Sequence, residues 1–344
     1  MNLKYSKIAG IGGIGTGLLF HTDIDATLGR SESRLAELSA AKDYCKLHIV
    51  FHYASVLLSP GATVYPIGYV GNDAYGARLI REIRGAGMDT AYLKVDHTLP
   101  TMLSICLQYP DMETCNFTAS NSACNLVTPE YVRDCLERLD VGGNTIVAAI
   151  PEVRVDSRVE LLKAGKARGA FCVLSVPEAE AGGFKAARAF EYCDLVAVNY
   201  MEALALAPGD DDDIKVVKRL YEYLRGFNPR IMLLVTLGPR GACSAYLEQF
   251  ERIPCLPAIA VNTTGAGDAC LGGTIAGLAR GMPFQKGRDD RKFGDSAISS
   301  AVELGTLCAG MAVETADSIA AHVNAPAVQK RIEESGWISE MRLI

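Results

Sequence analysis

The stretch Val261-Asn262-Thr263-Thr264-Gly265-Ala266-Gly267-Asp268-Ala269-Cys270 holds the residues best suited to chemistry. Gly265, Ala266 and Gly267 precede an apolar, small-residue run from Ala269 to Arg280 that reads as a buried helix, so the triplet is expected at that helix's N-terminus. First-turn amides lack intrahelical acceptors and the helix dipole adds partial positive charge, so such a terminus attracts anions. A carboxylate placed there, Asp268, could take a proton from an alcohol while the amides hold the charge that develops on a transferring phosphoryl group. That is the chemistry of a kinase acting on a hydroxyl. On these ten residues alone it is an equally good reading that Asp268 only complements the helix dipole.

Thr263 to Asp268 resembles the C-terminal signature of the ribokinase (pfkB) family of carbohydrate kinases, with Asn262 where the family usually has Asp. The resemblance implies that the amides of Gly265, Ala266 and Gly267 form an anion hole and that Asp268 is the catalytic base. Asn199-Tyr200-Met201-Glu202 follows the apolar run Leu195 to Val198 and resembles the family's N-x-x-E motif. That likeness implies Glu202 as the Mg2+ carboxylate with Asn199 beside the triphosphate, although Asn at a helix N-cap with Glu three residues on also makes a capping box. Val235 to Ala242 resembles "vTlGxxGa", which implies ATP contacts from Thr236, Gly238 and Gly241. As a bare strand and turn, its glycines would be turn requirements only. Ala301 to Gly310 resembles the Ala-rich helix that borders the adenine. Glu314-Thr315-Ala316-Asp317 lacks the usual Gly-Ala and Asn262 replaces Asp, so a monovalent-cation site has little support.

The acceptor half departs from the pattern. Val70 to Gly76, Gly85 to Asp89 and Asn121 to Val132 resemble family blocks in the expected order. The family's Gly-Gly-x-x-x-Asn, counted back from Gly61-Ala62, falls instead on Leu47, His48 and His52, and no carboxylate stands among Gly13 to Gly17. Gly13, His52 and Glu152 are the acceptor-binding candidates, Glu152 for its place past an apolar strand and a loose likeness to a substrate-contacting Glu. The acceptor is left open as a sugar or sugar-like hydroxyl compound.

Gly10-Ile11-Gly12-Gly13-Ile14-Gly15 matches G-x-G-x-x-G, and Glu32 lies near the distance at which a dinucleotide site carries its acid. The following Thr16 to Asp23 has no helical stripe, which weighs against a dinucleotide-binding oxidoreductase and favours a strand whose glycines admit a substrate to the backbone. A nucleotide-binding regulatory or structural relative, catalytically weak, is the other alternative.

To position these groups the chain must alternate strands and helices. Strands are expected at 63–69, 145–150, 170–175, 194–198 and 231–236, and helices at 52–58, 156–168, 184–190 and 213–225. Such alternation indicates a mostly parallel sheet covered on both faces, an α/β/α domain with ligands at the carboxyl ends of the strands. The resemblance implies one ribokinase-like domain over 1–344, with lid segments near 17–47 and 98–123 and, as in many members, a homodimer through the lid. At 344 residues and 49% hydrophobic the chain can bury a large core. Its net charge of −6 gives no basic face for nucleic acid, no long apolar run suggests a membrane, and eleven scattered Cys without a CxxC pair suit a cytoplasmic protein. The acidic run Asp210 to Asp213 reads as a solvated helix start.

Overall fold

The computed structural model describes residues 3–111, 114–209, 212–287, 292–294, 296–337 and 342–343. The chain opens with β1 (Lys7–Ile11) and β2 (Gly15–His21), followed by the short strands β3 (Glu37–Leu38) and β4 (Asp43–Tyr44) and by helix α1 (Lys46–Leu58). Next come β5 (Thr63–Gly71), α2 (Ala74–Gly85), β6 (Leu93–Asp96), β7 (Met102–Gln108) and β8 (Thr114–Thr118). Alternation is then regular: α3 (Pro129–Arg138), β9 (Thr145–Ala149), α4 (Val155–Ala167), β10 (Phe171–Ser175), α5 (Ala181–Ala186), β11 (Leu195–Asn199), α6 (Tyr200–Leu206), α7 (Asp213–Arg225) and β12 (Met232–Thr236). The hairpin β13 (Ala242–Tyr246) and β14 (Gln249–Ile253) leads to helices α8 (Ala266–Ala279), α9 (Ala301–Ala312) and α10 (Ala325–Ser335) and to β15 (Arg342–Leu343).

The main sheet runs β15-β14-β13-β12-β11-β10-β9-β1-β5-β6, parallel from β12 to β6 and antiparallel at the β13 to β15 edge. Its central strands are apolar on both faces because both are covered. In β1, Ile8 enters the core formed with α1, α2, α8 and α9, whereas Ala9 and Ile11 enter the core formed with α3, α4 and α7. A second sheet, in the segments expected to form a lid, has the order β3-β2-β7-β8 with β4 also paired to β2.

The expected strands are present within two residues at each end, and α7 spans the residues expected. Asp212 caps α7 by accepting the Lys215 N–H, as a solvated helix start requires, while Asp210 and Asp211 lie outside the described residues. Two helices differ. The expected helix 184–190 is α5 followed by a separate 3-10 turn at Ala189–Tyr192, because Arg188 takes a left-handed conformation between them. Helix α1 begins at Lys46, two turns before the expected residue 52.

Helix α8, with no polar stripe, is buried continuously from Ala269 to Ala279. Its glycines let α1 and α9 approach closely. A Cβ on Gly272 would lie 2.4 Å from the Val50 carbonyl oxygen of α1, and one on Gly305 of α9 would lie 2.3 Å from both the Cys270 carbonyl oxygen and Thr274 Oγ1 of α8. These contacts fix the helix whose first turn carries Asp268. Gly305→Val is therefore expected to cost about 1–3 kcal/mol through overpacking. Urea unfolding measures it as a lower midpoint at unchanged slope.

Candidate active site

Gly265 is the N-cap of α8 at φ +81°, and a Cβ there would lie 2.5 Å from the Ser318 carbonyl oxygen, so glycine is required both for conformation and for space. The Ala266 N–H reaches back to the Thr263 carbonyl at 3.3 Å. The next two residues of the first turn are Gly267, which is exposed, and Asp268, which is half-buried. The loop before the helix is pinned by Asn262, whose Nδ2 donates to the Ala316 carbonyl (2.7 Å) and whose Oδ1 accepts the Thr264 N–H (2.9 Å).

Two cavities meet at this helix end. One, of about 300 Å3, lies toward the lid and is lined by Asp43, Lys46, Ser104, Asn116, Glu152 and Asp268 among others. The second is a groove of about 1150 Å3, lined by Asn199, Glu202, Thr236, Gly238, Gly241 and the face of α9 that carries Thr306, Ala309 and Gly310. Lys46, Gly265 and Asp268 line both.

The electrostatics at this junction are those of one ammonium among several carboxylates. Asp268 raises the pKa of Lys46 most, burial opposes it, and Glu202 and Glu152 raise it further. Burial pushes Asp268 up to about 6; the Lys46 charge opposes this, while Glu202 and Asp43 add to it. Burial likewise pushes Glu152 up to about 7, opposed by the charge and the backbone N–H of Lys46. That N–H, in the first turn of α1, donates to Glu152 Oε2 at 3.0 Å, so the carboxylate sits on a helix N-terminus. Glu152 takes φ +76°, a strained backbone for a residue with a side chain and one that recurs at ligand sites.

In the groove, Asn199 and Glu202 form a reciprocal capping box at the start of α6. Asn199 Oδ1 accepts the Glu202 N–H (2.9 Å) and Glu202 Oε2 accepts the Asn199 N–H (2.7 Å). The capping geometry and the groove position coexist: the box fixes a buried carboxylate at the groove wall, and burial raises its pKa. No group of three or more His, Cys, Asp or Glu side chains among the described residues could hold a metal ion. A single carboxylate suits Mg2+, which keeps several waters and takes its remaining ligands from phosphates. Gly241 takes φ +90° against the Ile253 carbonyl and Gly238 takes φ +58°, so both are turn requirements as well as groove lining. A Cβ on Gly267 would lie 3.7 Å from Thr236 Oγ1, which places Thr236 beside the helix end.

Two acceptor-side expectations need correction. His52 does not line the smaller cavity: it lies two turns into α1, and its Nε2 is buried without a hydrogen-bond partner. From this part of the chain the cavity is lined by residues 41–46 and Ile49, where the count from Gly61-Ala62 had pointed to Leu47, His48 and His52. Gly13 is one step removed, since a Cβ there would lie 2.2 Å from Glu152 Oε2; it makes room for the carboxylate rather than for a ligand. Other glycines of the G-x-G-x-x-G run also face protein, Gly10 against Ala148 and Phe51 and Gly12 against Ile150 and Leu47. The run leads into strand β2 and not into a helix, which removes the dinucleotide reading.

Lys46 and Asp43 went unrecognised in the sequence. For Lys46 a signal existed: it opens a helix whose first turn has no acidic residue, against the dipole, and such a local rule violation often marks a functional position. Asp43 carried none, being one acid in a polar, irregular segment.

The pattern of the pfkB family carbohydrate kinases matches residues 52–324. The chain belongs to that family. A probable fructokinase-7 of Arabidopsis thaliana is 26% identical over 276 residues, covering 76% of each chain. Among solved structures, a ribokinase from Giardia lamblia superposes with a TM-score of 0.79 at 18% identity, covering 96% of this chain and 99% of that one. An Arabidopsis thaliana ribokinase complexed with ribose and ATP gives 0.70 at 18% identity, covering 95% and 98%. These likenesses show a ribokinase-like fold. Within this pfkB-family chain, the family match begins after Asp43 and Lys46, so the two residues added to the smaller cavity lie outside it.

The buried histidines of α1 give a stability expectation. Burial lowers His48 to about 3 and His52 to about 4, below the unfolded value near 6.5. As pH falls through about 6.5 the unfolded chain takes up protons that the fold refuses, so these residues' contribution to stability is lost progressively toward pH 4. Glu152, Asp268 and Glu251, with raised pKa values, run the other way over the same range. The stability difference between the parent and a His48→Gln/His52→Gln variant isolates the histidines. Urea unfolding at pH 7.5 and pH 5 is expected to show that difference shrinking at the lower pH.

Proposed function

We propose that this chain is an ATP-dependent kinase that transfers the γ-phosphate to a hydroxyl of a sugar or sugar-like acceptor. The observation that carries this reading is the shared border of the two cavities at Lys46, Gly265 and Asp268. A triphosphate in the groove and an acceptor in the smaller cavity would meet at that border. Its size suits a monosaccharide, since about 300 Å3 lies at the small end of ligand pockets. The ribose and ATP of the Arabidopsis ribokinase structure, and the name of the fructokinase relative, agree with this acceptor class.

In the reaction Asp268 takes the acceptor hydroxyl proton as the oxygen attacks the γ-phosphorus in line and ADP leaves. The amides of Gly265, Ala266 and Gly267 hold charge on the transferring oxygens. Lys46 keeps Asp268 ionised at neutral pH by opposing the rise that burial causes. Asn199, Thr236, Gly238 and Gly241 are assigned to the nucleotide and Glu202 to the metal side. Mg2+, when bound through Glu202, water and phosphate oxygens, supplies neutralisation of the phosphate charge. Asn262 ties together the two loops beside the helix end by direct hydrogen bonds, and the proposed chemistry calls for no monovalent cation.

No helix among the described residues is long and apolar enough to cross a membrane. All eleven cysteines are free, which suits a reducing compartment such as the cytoplasm. The exposed outer face of the lid, with Leu38, Ile105 and Phe117, is where a second copy would pack.

Asp268→Asn is expected to lower kcat by about 100- to 10,000-fold, the usual worth of a positioned base, while ATP still binds. ADP release from Mg-ATP over a panel of sugars, nucleosides and polyols measures it. If ATP binds but no acceptor stimulates turnover and the variant matches the parent, the nucleotide-binding subunit replaces the kinase. The pH profile of kcat/KM should fall on the acid side near pH 6, where Asp268 protonates. In Lys46→Met that limb is expected to move to higher pH, because the ammonium that lowers the Asp268 pKa is gone. An unmoved limb assigns the titration to another group.

A further inference from the structure

Asp43 is an acidic group of the smaller cavity that the proposed reaction does not use. It stands in β4 directly opposite Gly17 of β2, and both residues line the cavity. A Cβ on Gly17 would lie 2.0 Å from Asp43 Oδ2, so the carboxylate occupies room that only a glycine leaves. The backbone at Asp43 is fixed: its carbonyl accepts the Thr16 hydroxyl at 2.9 Å, and Thr16 Oγ1 accepts from Arg78 Nη2 at 2.6 Å.

The carboxylate itself is poorly satisfied. Oδ1 is buried without a hydrogen-bond partner, and Oδ2 receives the Cys106 thiol at 3.5 Å. An ionised carboxylate offers about four lone-pair sites, and leaving them empty when buried is costly. Burial raises the Asp43 pKa, with the Ser318 hydroxyl, the Cys106 thiol and the Tyr44 N–H offsetting part of that rise. Of the two other carboxylates of the cavity, Glu152 already accepts the Lys46 N–H and Asp268 lies in the field of the Lys46 ammonium. Asp43 therefore holds the spare acceptor capacity of the cavity.

We propose that Asp43 determines acceptor specificity, accepting hydrogen bonds from the hydroxyls of an uncharged polyhydroxy compound and repelling compounds that present a carboxylate or phosphate there. The assignment rests on the kinase reading and narrows its acceptor to neutral sugars or polyols.

The test uses the full chain with Asp43→Asn and Gly17→Ala, thermal unfolding confirming that each folds. Rates are measured at saturating ATP with fructose, ribose, gluconate and fructose 6-phosphate. The parent is expected to prefer the neutral sugars. Asp43→Asn should raise the KM of the preferred sugar about tenfold or more, as loss of a hydrogen bond to a charged group does, with the KM of ATP unchanged. It should also narrow the gap between neutral and anionic acceptors, and Gly17→Ala should act in the same direction by displacing the carboxylate. An acceptor KM within roughly twofold of the parent and an unchanged gap overturn the proposal. If the parent phosphorylates none of the panel, calorimetric titration of the same sugars separates the two readings. Neutral-sugar binding that Asp43→Asn loses upholds Asp43 while the kinase reading fails. Equal binding by both, or no neutral-sugar binding by the parent, overturns the Asp43 assignment.

Discussion

The site depends on one half-buried ammonium. Lys46 faces Asp268, Glu202 and Glu152 at once, and its pKa is raised by all three. Without that charge, Asp268, Glu202 and Glu152 would act on one another unopposed in a region of low polarity. Each would be driven toward its neutral form. The raised values of Asp268 and Glu152 show how much of that pressure remains with Lys46 present. Because Lys46 opens α1, its backbone N–H binds Glu152 while the charge of its side chain acts on Asp268, Glu202 and Glu152 together.

Holding these groups in register requires that α1 and α8 move as one body. The glycines of α8 serve this directly: Gly272 lies against the α1 backbone at Val50, and Gly273 and Gly277 lie against α9 at Gly305 and Ala301. At the close approaches they permit, α1 and α8 shift little relative to each other. Lys46 at the start of one helix and Asp268 at the start of the other are thereby held at a set separation. The apolar, small-residue character of α8 thus belongs to the site as much as to the core.

This arrangement explains what could be read from the sequence. The groove half was legible because each piece is short and contiguous: Asn199 to Glu202, Thr236 to Gly241 and Gly265 to Asp268 carry their local geometry in their own residues. The sheet was legible because strands covered on both faces are uninterrupted apolar runs. The acceptor half was not, since its residues come from β2, β4, β7 and the start of α1 and meet only when the lid folds over the sheet. There, counting residues back from Gly61-Ala62 selected His52, which does not line the cavity. The glycine run at 10–15 misled for a related reason. A glycine records that something comes close, and at these positions the close neighbour is protein.

The same contrast bears on how such a site can change its acceptor. The proposed phosphoryl transfer would fix the groove side tightly, because the amides assigned to the anion and the carboxylate assigned as base belong to consecutive residues of one helix start. The acceptor side needs only donors and acceptors at suitable points around a small cavity, and the chain direction from which they arrive is free. Gly13 to Gly17 bring no carboxylate, yet a carboxylate reaches the cavity wall from β4 because Gly17 leaves it space. Motif inspection registers this as a missing residue, although the cavity still contains the group. Acceptor choice in this chain therefore has to be argued from cavity chemistry, since the linear pattern marks only what has moved.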